Sequence, residues 1–272
     1  MTDPETTYER FTRSERGQHA LLILSFSVLA LTGLPQTNPD HRLAAGFIGL
    51  LGGIEVVRIA HRVAASVLML LCIWHLIEVL QKLYVRRVPL GMLPRLQDAW
   101  DALTALKYNL GLSKNRPHMD RYTFEEKAEY WALLWGTVVM VATGFVLWNP
   151  IAATALLPGQ FIPAARAAHG GEALLAVLSI IVWHIYGVHI RHFNRSMFTG
   201  RMSEEEMLHE HPAELEKIRS GLPYGEQSVE ILKRRTRIFR PIAAILTAVL
   251  LAVLYWFVTF EHTAIDTVTT KL

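Results

Sequence analysis

Cysteine is nearly missing: Cys72 is the single one among 272 residues. Neither a disulfide framework nor a cysteine-ligated zinc or iron–sulfur site can therefore be assembled from this chain alone. Charge is scarce too, at 19% of residues, and it leaves uninterrupted apolar blocks about as long as the ~20 residues a helix needs to cross a bilayer. With 51% apolar residues and a mean hydropathy of +0.26, an ordinary soluble enzyme is excluded. Residues 1–18 are polar and lack an apolar core followed by a small-residue cleavage site, so no removable signal peptide is expected. The pI near 9.0 marks membrane-flanking loops and not a nucleic-acid partner.

Five blocks read as membrane-spanning helices, at residues 19–34, 57–85, 129–148, 169–190 and 238–260. Pro35 closes the first, Asn149-Pro150 the third, and Pro241 sits in the first turn of the fifth, where a missing N–H costs little. The stretch 43–54 is too short and glycine-rich to span and reads as an interfacial or re-entrant helix. Of the 27 Lys and Arg residues, 22 fall before the first span, from Lys82 to Lys127 or from Arg191 to Arg240. The positive-inside rule puts those segments in the cytoplasm and the tail, 261–272, outside, in a bacterial-type inner membrane. The charged connection 191–237 contains a surface helix pair by its pattern.

A shift of 111 residues aligns Phe11-Thr12 with Tyr122-Thr123, Glu15-Arg16 with Glu126-Lys127, and Thr32-Gly33 with Thr143-Gly144. The spans thus read as two related hairpins plus a fifth helix outside the repeat. The expected fold is an all-α integral membrane bundle, with residues 19–190 as its four-helix core.

Histidines give this core its chemistry. Span two carries His61 and His75, and span four carries His169 and His184. Separations of 14 and 15 residues return to nearly one helical face and set each pair ~21–22 Å apart along the axis. His61 with His169, and His75 with His184, would each clamp an iron between two neutral imidazoles, the ligation that suits a low-spin haem b. Ligands so far apart cannot meet at one zinc ion. A lone intramembrane histidine is usually a polar contact, but two spans with matching long separations point to function. His19, at the start of span one, is a fifth candidate: it could replace His75 opposite His184, or open a third haem with His189. Arg58, Arg62 and Arg166 are placed to pair with haem propionates. His118, His192, His209, His211 and His262 lie in polar loops or at ends and read as solvated.

The first hairpin, with Glu15-Arg16-Gly17-Gln18-His19, then Thr32-Gly33-Leu34-Pro35 and Ile59-Ala60-His61-Arg62, resembles the membrane cytochrome b subunits of formate dehydrogenases and nickel–iron hydrogenases. Arg121-Tyr122, Glu126-Lys127, Tyr130-Trp131 and the His169/His184 pair continue the resemblance through span four. It implies a di-haem subunit that moves electrons between an iron–sulfur or multihaem cytochrome partner and quinone, with the span-one histidine paired to the second span-four histidine. His75 has no counterpart in the formate dehydrogenase pattern, and fits the four-histidine arrangement of bc-type cytochromes b. At the entry to span three, where the formate dehydrogenase relatives carry Asn and Gly near the quinone, this chain has Thr123 and Glu125. Thr123, Glu125, Glu126 and Lys127 are the quinone-site candidates, or else an ordinary helix start with acids favoured by its dipole. Primary substrate chemistry falls to another subunit. The rival readings are a quinone-independent transmembrane cytochrome and a haem-free protein that uses its histidines for protons.

Overall fold

The computed structural model describes residues 6–191, 193–221 and 227–259. The expected tail, His192 and His262 lie outside them. The described residues are all-α apart from two three-residue strands, β1 (Thr7–Glu9) and β2 (Arg201–Ser203). Among the described residues, five helices are long and apolar enough to cross a membrane: α1 (Arg13–Thr37), α3 (Ile54–Gln81), α5 (Phe124–Trp148), α7 (Phe161–Ser179) and α11 (Val229–Thr259). Between them lie the short helices α2 (Arg42–Leu50), α4 (Leu96–Asn109), α6 (Pro150–Leu156), α8 (Ser196–Thr199), α9 (Glu204–Glu210) and α10 (Pro212–Arg219). The long helices leave Leu24, Leu31, Leu175, Val182 and Ile245 exposed. Lipid supplies the apolar surroundings that a soluble core would otherwise have to provide.

Helix ends differ from the sequence expectation in three places. Pro35 lies inside α1, which continues to Thr37. Proline forfeits one backbone bond there, and the final turn is closed by side chains, with Gln36 Nε2 donating to the Thr32 carbonyl at 2.8 Å and Thr37 Oγ1 to that of Leu34 at 2.7 Å. Pro241 is interior as well, because α11 begins at Val229, well before the apolar block. Beyond Gln81 and Ser179, α3 and α7 continue as π-wound segments, Lys82–Arg86 and Ile180–Arg191. His184 and His189 both lie in the second, where i→i+5 bonding replaces the α ladder and straight-helix angular separations no longer hold.

The chain falls into two compact units. The first comprises Met1–Ala20, His75–Leu133 and Tyr186–Ala244. Its small apolar core is Met202, Met207 and Leu215, flanked by Tyr8 and Ile218 beside the antiparallel β1–β2 pair. Next to it is a buried charged cluster. Arg10, 2% exposed, stacks on the rings of Phe11 and Tyr122 at 5.2 and 5.3 Å and reaches Glu126 at 3.4 Å. Arg121 donates to the Arg10 carbonyl at 2.9 Å and pairs with Glu214 at 3.3 Å. His211, expected to be solvated, is fully buried, with Nδ1 donating to the Asp120 carbonyl at 2.9 Å. Burial above all, with Arg10 beside it, pushes its pKa down to about 4. Glu210 is pushed up to about 7 by burial first and then by Glu126 and Glu206.

The second unit comprises Leu21–Trp74, Leu134–Ile185 and Ile245–Leu272. Phe145, Trp148, Trp256 and Phe257 form an aromatic cluster in it, with ring centres 5.3 to 6.0 Å apart. A short helix, α2, stands where an interfacial or re-entrant one was expected, with Leu43 and Leu50 exposed and Ile48 buried.

Candidate functional site

In the second unit, His61 of α3 and His169 of α7 come together, with ring centres 6.3 Å apart and planes inclined at 65°. Two imidazoles that bind one metal from opposite sides, with bonds of about 2.0 Å and roughly 1.1 Å from nitrogen to ring centre, stand about 6.2–6.4 Å apart. The observed spacing fits a bis-imidazole iron.

Each ring is held in the same way. Thr32 Oγ1 donates its only proton to the Val28 carbonyl at 2.6 Å and lies 2.9 Å from His61 Nδ1. Thr143 Oγ1 does likewise with the Val139 carbonyl at 2.7 Å and His169 Nδ1 at 2.8 Å. With the hydroxyl proton committed, the oxygen can only accept, so both rings carry their proton on Nδ1 and turn an unprotonated Nε2 to other partners. A hydrogen bond from the second ring nitrogen is how metal-binding histidines are ordinarily fixed. Glycine follows each threonine. A Cβ on Gly33 would come within 2.9 Å of His61 Cε1, and one on Gly144 within 3.5 Å of His169 Cε1. Each imidazole thus rests on a backbone with no side chain.

Three further residues of this unit escaped the sequence reading. Asn149, 1% exposed, has neither amide oxygen nor nitrogen hydrogen-bonded among the described residues. An amide so buried calls for a partner from outside the protein. Its signal was available, since the repeat extends to Thr32-Gly33, four residues, Asn38-Pro39, matched by Thr143-Gly144, four residues, Asn149-Pro150. Glu172, one turn beyond His169, occupies the space left by Gly136, where a Cβ would meet its Oε1 at 2.5 Å. Trp148 lies under the guanidinium of Arg62 at 4.8 Å. Of the other arginines, Arg58 pairs with Glu55 at 2.7 Å and Arg166 is exposed.

The first unit holds the remaining candidates except His184, which lies in the second, in the π-wound segment Ile180–Arg191. Thr123 and Glu126 form a reciprocal cap on α5, Thr123 N to Glu126 Oε2 at 2.9 Å and Glu126 N to Thr123 Oγ1 at 3.1 Å. Thr12 and Glu15, 111 positions earlier, cap α1 likewise at 2.8 and 3.3 Å. Lys127, buried, pairs with Asp98 at 2.5 Å. Capping and ion pairing thus take up three of the four quinone candidates, leaving half-buried Glu125. His75 has protein partners on both ring nitrogens, Gln18 and Tyr130. His19 lies in the second turn of α1, next to buried Gln18.

No curated protein matches the chain. A family model for prokaryotic cytochrome b561 matches residues 10–200, which take in both capped hairpins and the four histidines of spans two and four. With that match over most of its length, the chain belongs to the prokaryotic cytochrome b561 family, integral membrane helical bundles that carry electrons on haem b.

Proposed function

We propose that this protein is the haem b membrane subunit of a respiratory redox complex, passing electrons across the bilayer between an iron–sulfur or multihaem cytochrome partner and the quinone pool. The observation that carries this is the doubled Thr-Gly-His cradle, with ring centres at bis-imidazole spacing. Haem b bound there would supply a one-electron couple. The chain's part is to present two neutral imidazoles from opposite sides, fix their tautomers through Thr32 and Thr143, and keep water out with apolar helices. His19, His75 and His184 are the candidates for holding a second haem, and of these His75 already has both ring nitrogens engaged by the protein. The excess of Lys and Arg in the first unit's segments supports a cytoplasmic N-terminus.

The test is a pyridine haemochrome assay on the purified protein. Two protohaems per chain are expected. His61→Ala and His169→Ala should each remove the same one, and His184→Ala the other. Absence of protohaem from the wild type overturns the reading.

A further inference from the structure

Apart from the paired site, the first unit contains a hydrogen-bonded chain of polar side chains on α1, α3 and α5. Lys82 Nζ reaches Glu15 at 2.8 Å and Glu78 at 2.9 Å. Glu78 also accepts from the Ser14 hydroxyl and, at 2.5 Å, from the amide nitrogen of Gln18. Gln18 Oε1 is 2.8 Å from His75 Nδ1, and His75 Nε2 is 3.1 Å from the Tyr130 hydroxyl.

The proton positions follow from donor inventory. A carboxylate paired with lysine only accepts, so the Gln18 NH2 must face Glu78 and its oxygen must face His75. His75 therefore donates from Nδ1 and presents its Nε2 lone pair to the Tyr130 O–H. An iron ligand would need that same lone pair. What stands here instead is a base within reach of a hydroxyl proton and oriented from behind by a third group, the arrangement that general acid–base chemistry requires. Tyr130 is half-buried, and Trp131 lies edge-on to its ring at 5.8 Å. A phenol donor beside an indole suits a flat ring bearing carbonyl or hydroxyl oxygens.

We propose that His75 is not a haem ligand but a proton-exchanging base acting through Tyr130 on a quinol or quinone, an inference that rests on the quinone reading above. A quinol hydroxyl gives its proton to Tyr130 Oη as Tyr130 passes its own to His75 Nε2. The imidazolium, held through Gln18 by Glu78, then releases that proton to water. Two such passages accompany the two electrons that leave along the electron-transfer path, so quinol yields quinone, two electrons and two protons. Run backward, the same groups protonate a quinone. Glu15, Glu78 and Lys82 are the charged groups around this path.

The experiment uses the full haem-loaded chain in detergent, with a soluble naphthoquinol as probe. Tyr130→Phe and His75→Gln should keep the wild-type haem-to-protein ratio, while quinol-driven haem reduction slows by about 100-fold or more and loses its solvent isotope effect. Loss of one haem in His75→Gln with the other retained makes His75 a ligand and overturns the proposal. So does an unchanged quinol rate in Tyr130→Phe, which removes one oxygen and tests the idea even where His75→Gln does not fold. Failure of the wild type to react with either quinol or quinone overturns the quinone reading and this proposal together; a reactive wild type matched by its variants overturns the proposal alone.

Discussion

Thr32 and Thr143 do more for the paired site than their side-chain size suggests. Each couples an imidazole to the carbonyl one turn back in its own helix, so ring orientation is tied to helix geometry. Threonine-to-valine changes keep the volume and remove the acceptor. Thr32→Val and Thr143→Val should each weaken haem binding about 10- to 100-fold, measured by haemin titration of the apoprotein. The glycines beneath the rings are unequal. Gly33→Ala places a methyl at 2.9 Å from His61 and Gly144→Ala one at 3.5 Å from His169, an ordinary contact. Gly33→Ala should lose the haem proposed between His61 and His169 and Gly144→Ala keep it, as the haem-to-protein ratio will show.

At the scale of the elements, each hairpin opens with the same reciprocal cap. Thr12→Ala and Thr123→Ala should each cost about 1 kcal/mol, read as lowered thermal stability with an unaltered haem spectrum. The five spans were legible because long apolar blocks have no other use in a chain so poor in charge. The helix ends were less so: Pro35 and Pro241 read as boundaries, yet both are interior, since Gln36 and Thr37 satisfy the carbonyls near Pro35 and α11 draws its first turns from the charged connection. Nothing in the apolar run of span four announces π-winding. That the rings of His61 and His169 come together, 6.3 Å apart, was anticipated by their spacing. Their threonines were visible in the repeat without a role, because a threonine in a helix normally bonds back to its own carbonyls. Spacing alone could not show how the nitrogens of His75 are engaged, which depends on the positions of Gln18 and Tyr130.

Across the molecule as a whole, stability and redox chemistry respond differently to pH. Glu210 holds its proton in the folded state up to about 7 and releases it near its ordinary carboxylate value when unfolded, so its contribution to stability falls as pH rises through that interval. His211 stays neutral down to about 4 while an unfolded histidine is protonated below ~6.5, so its contribution rises with pH over nearly the same interval. The two slopes oppose each other. Glu210→Gln should expose a stability that climbs with pH from about 4 to 6.5, and His211→Asn one that declines from about 4.5 to 7, in thermal unfolding of the detergent-solubilised protein. The hydroxyls that hold His61 and His169 behave otherwise, for threonine neither gains nor loses a proton anywhere in this range. A haem held by His61 and His169 would therefore keep the same hydroxyl supports behind its ligands across this whole interval. On the proposal above, the protons of a quinone reaction would pass instead through Tyr130 and His75.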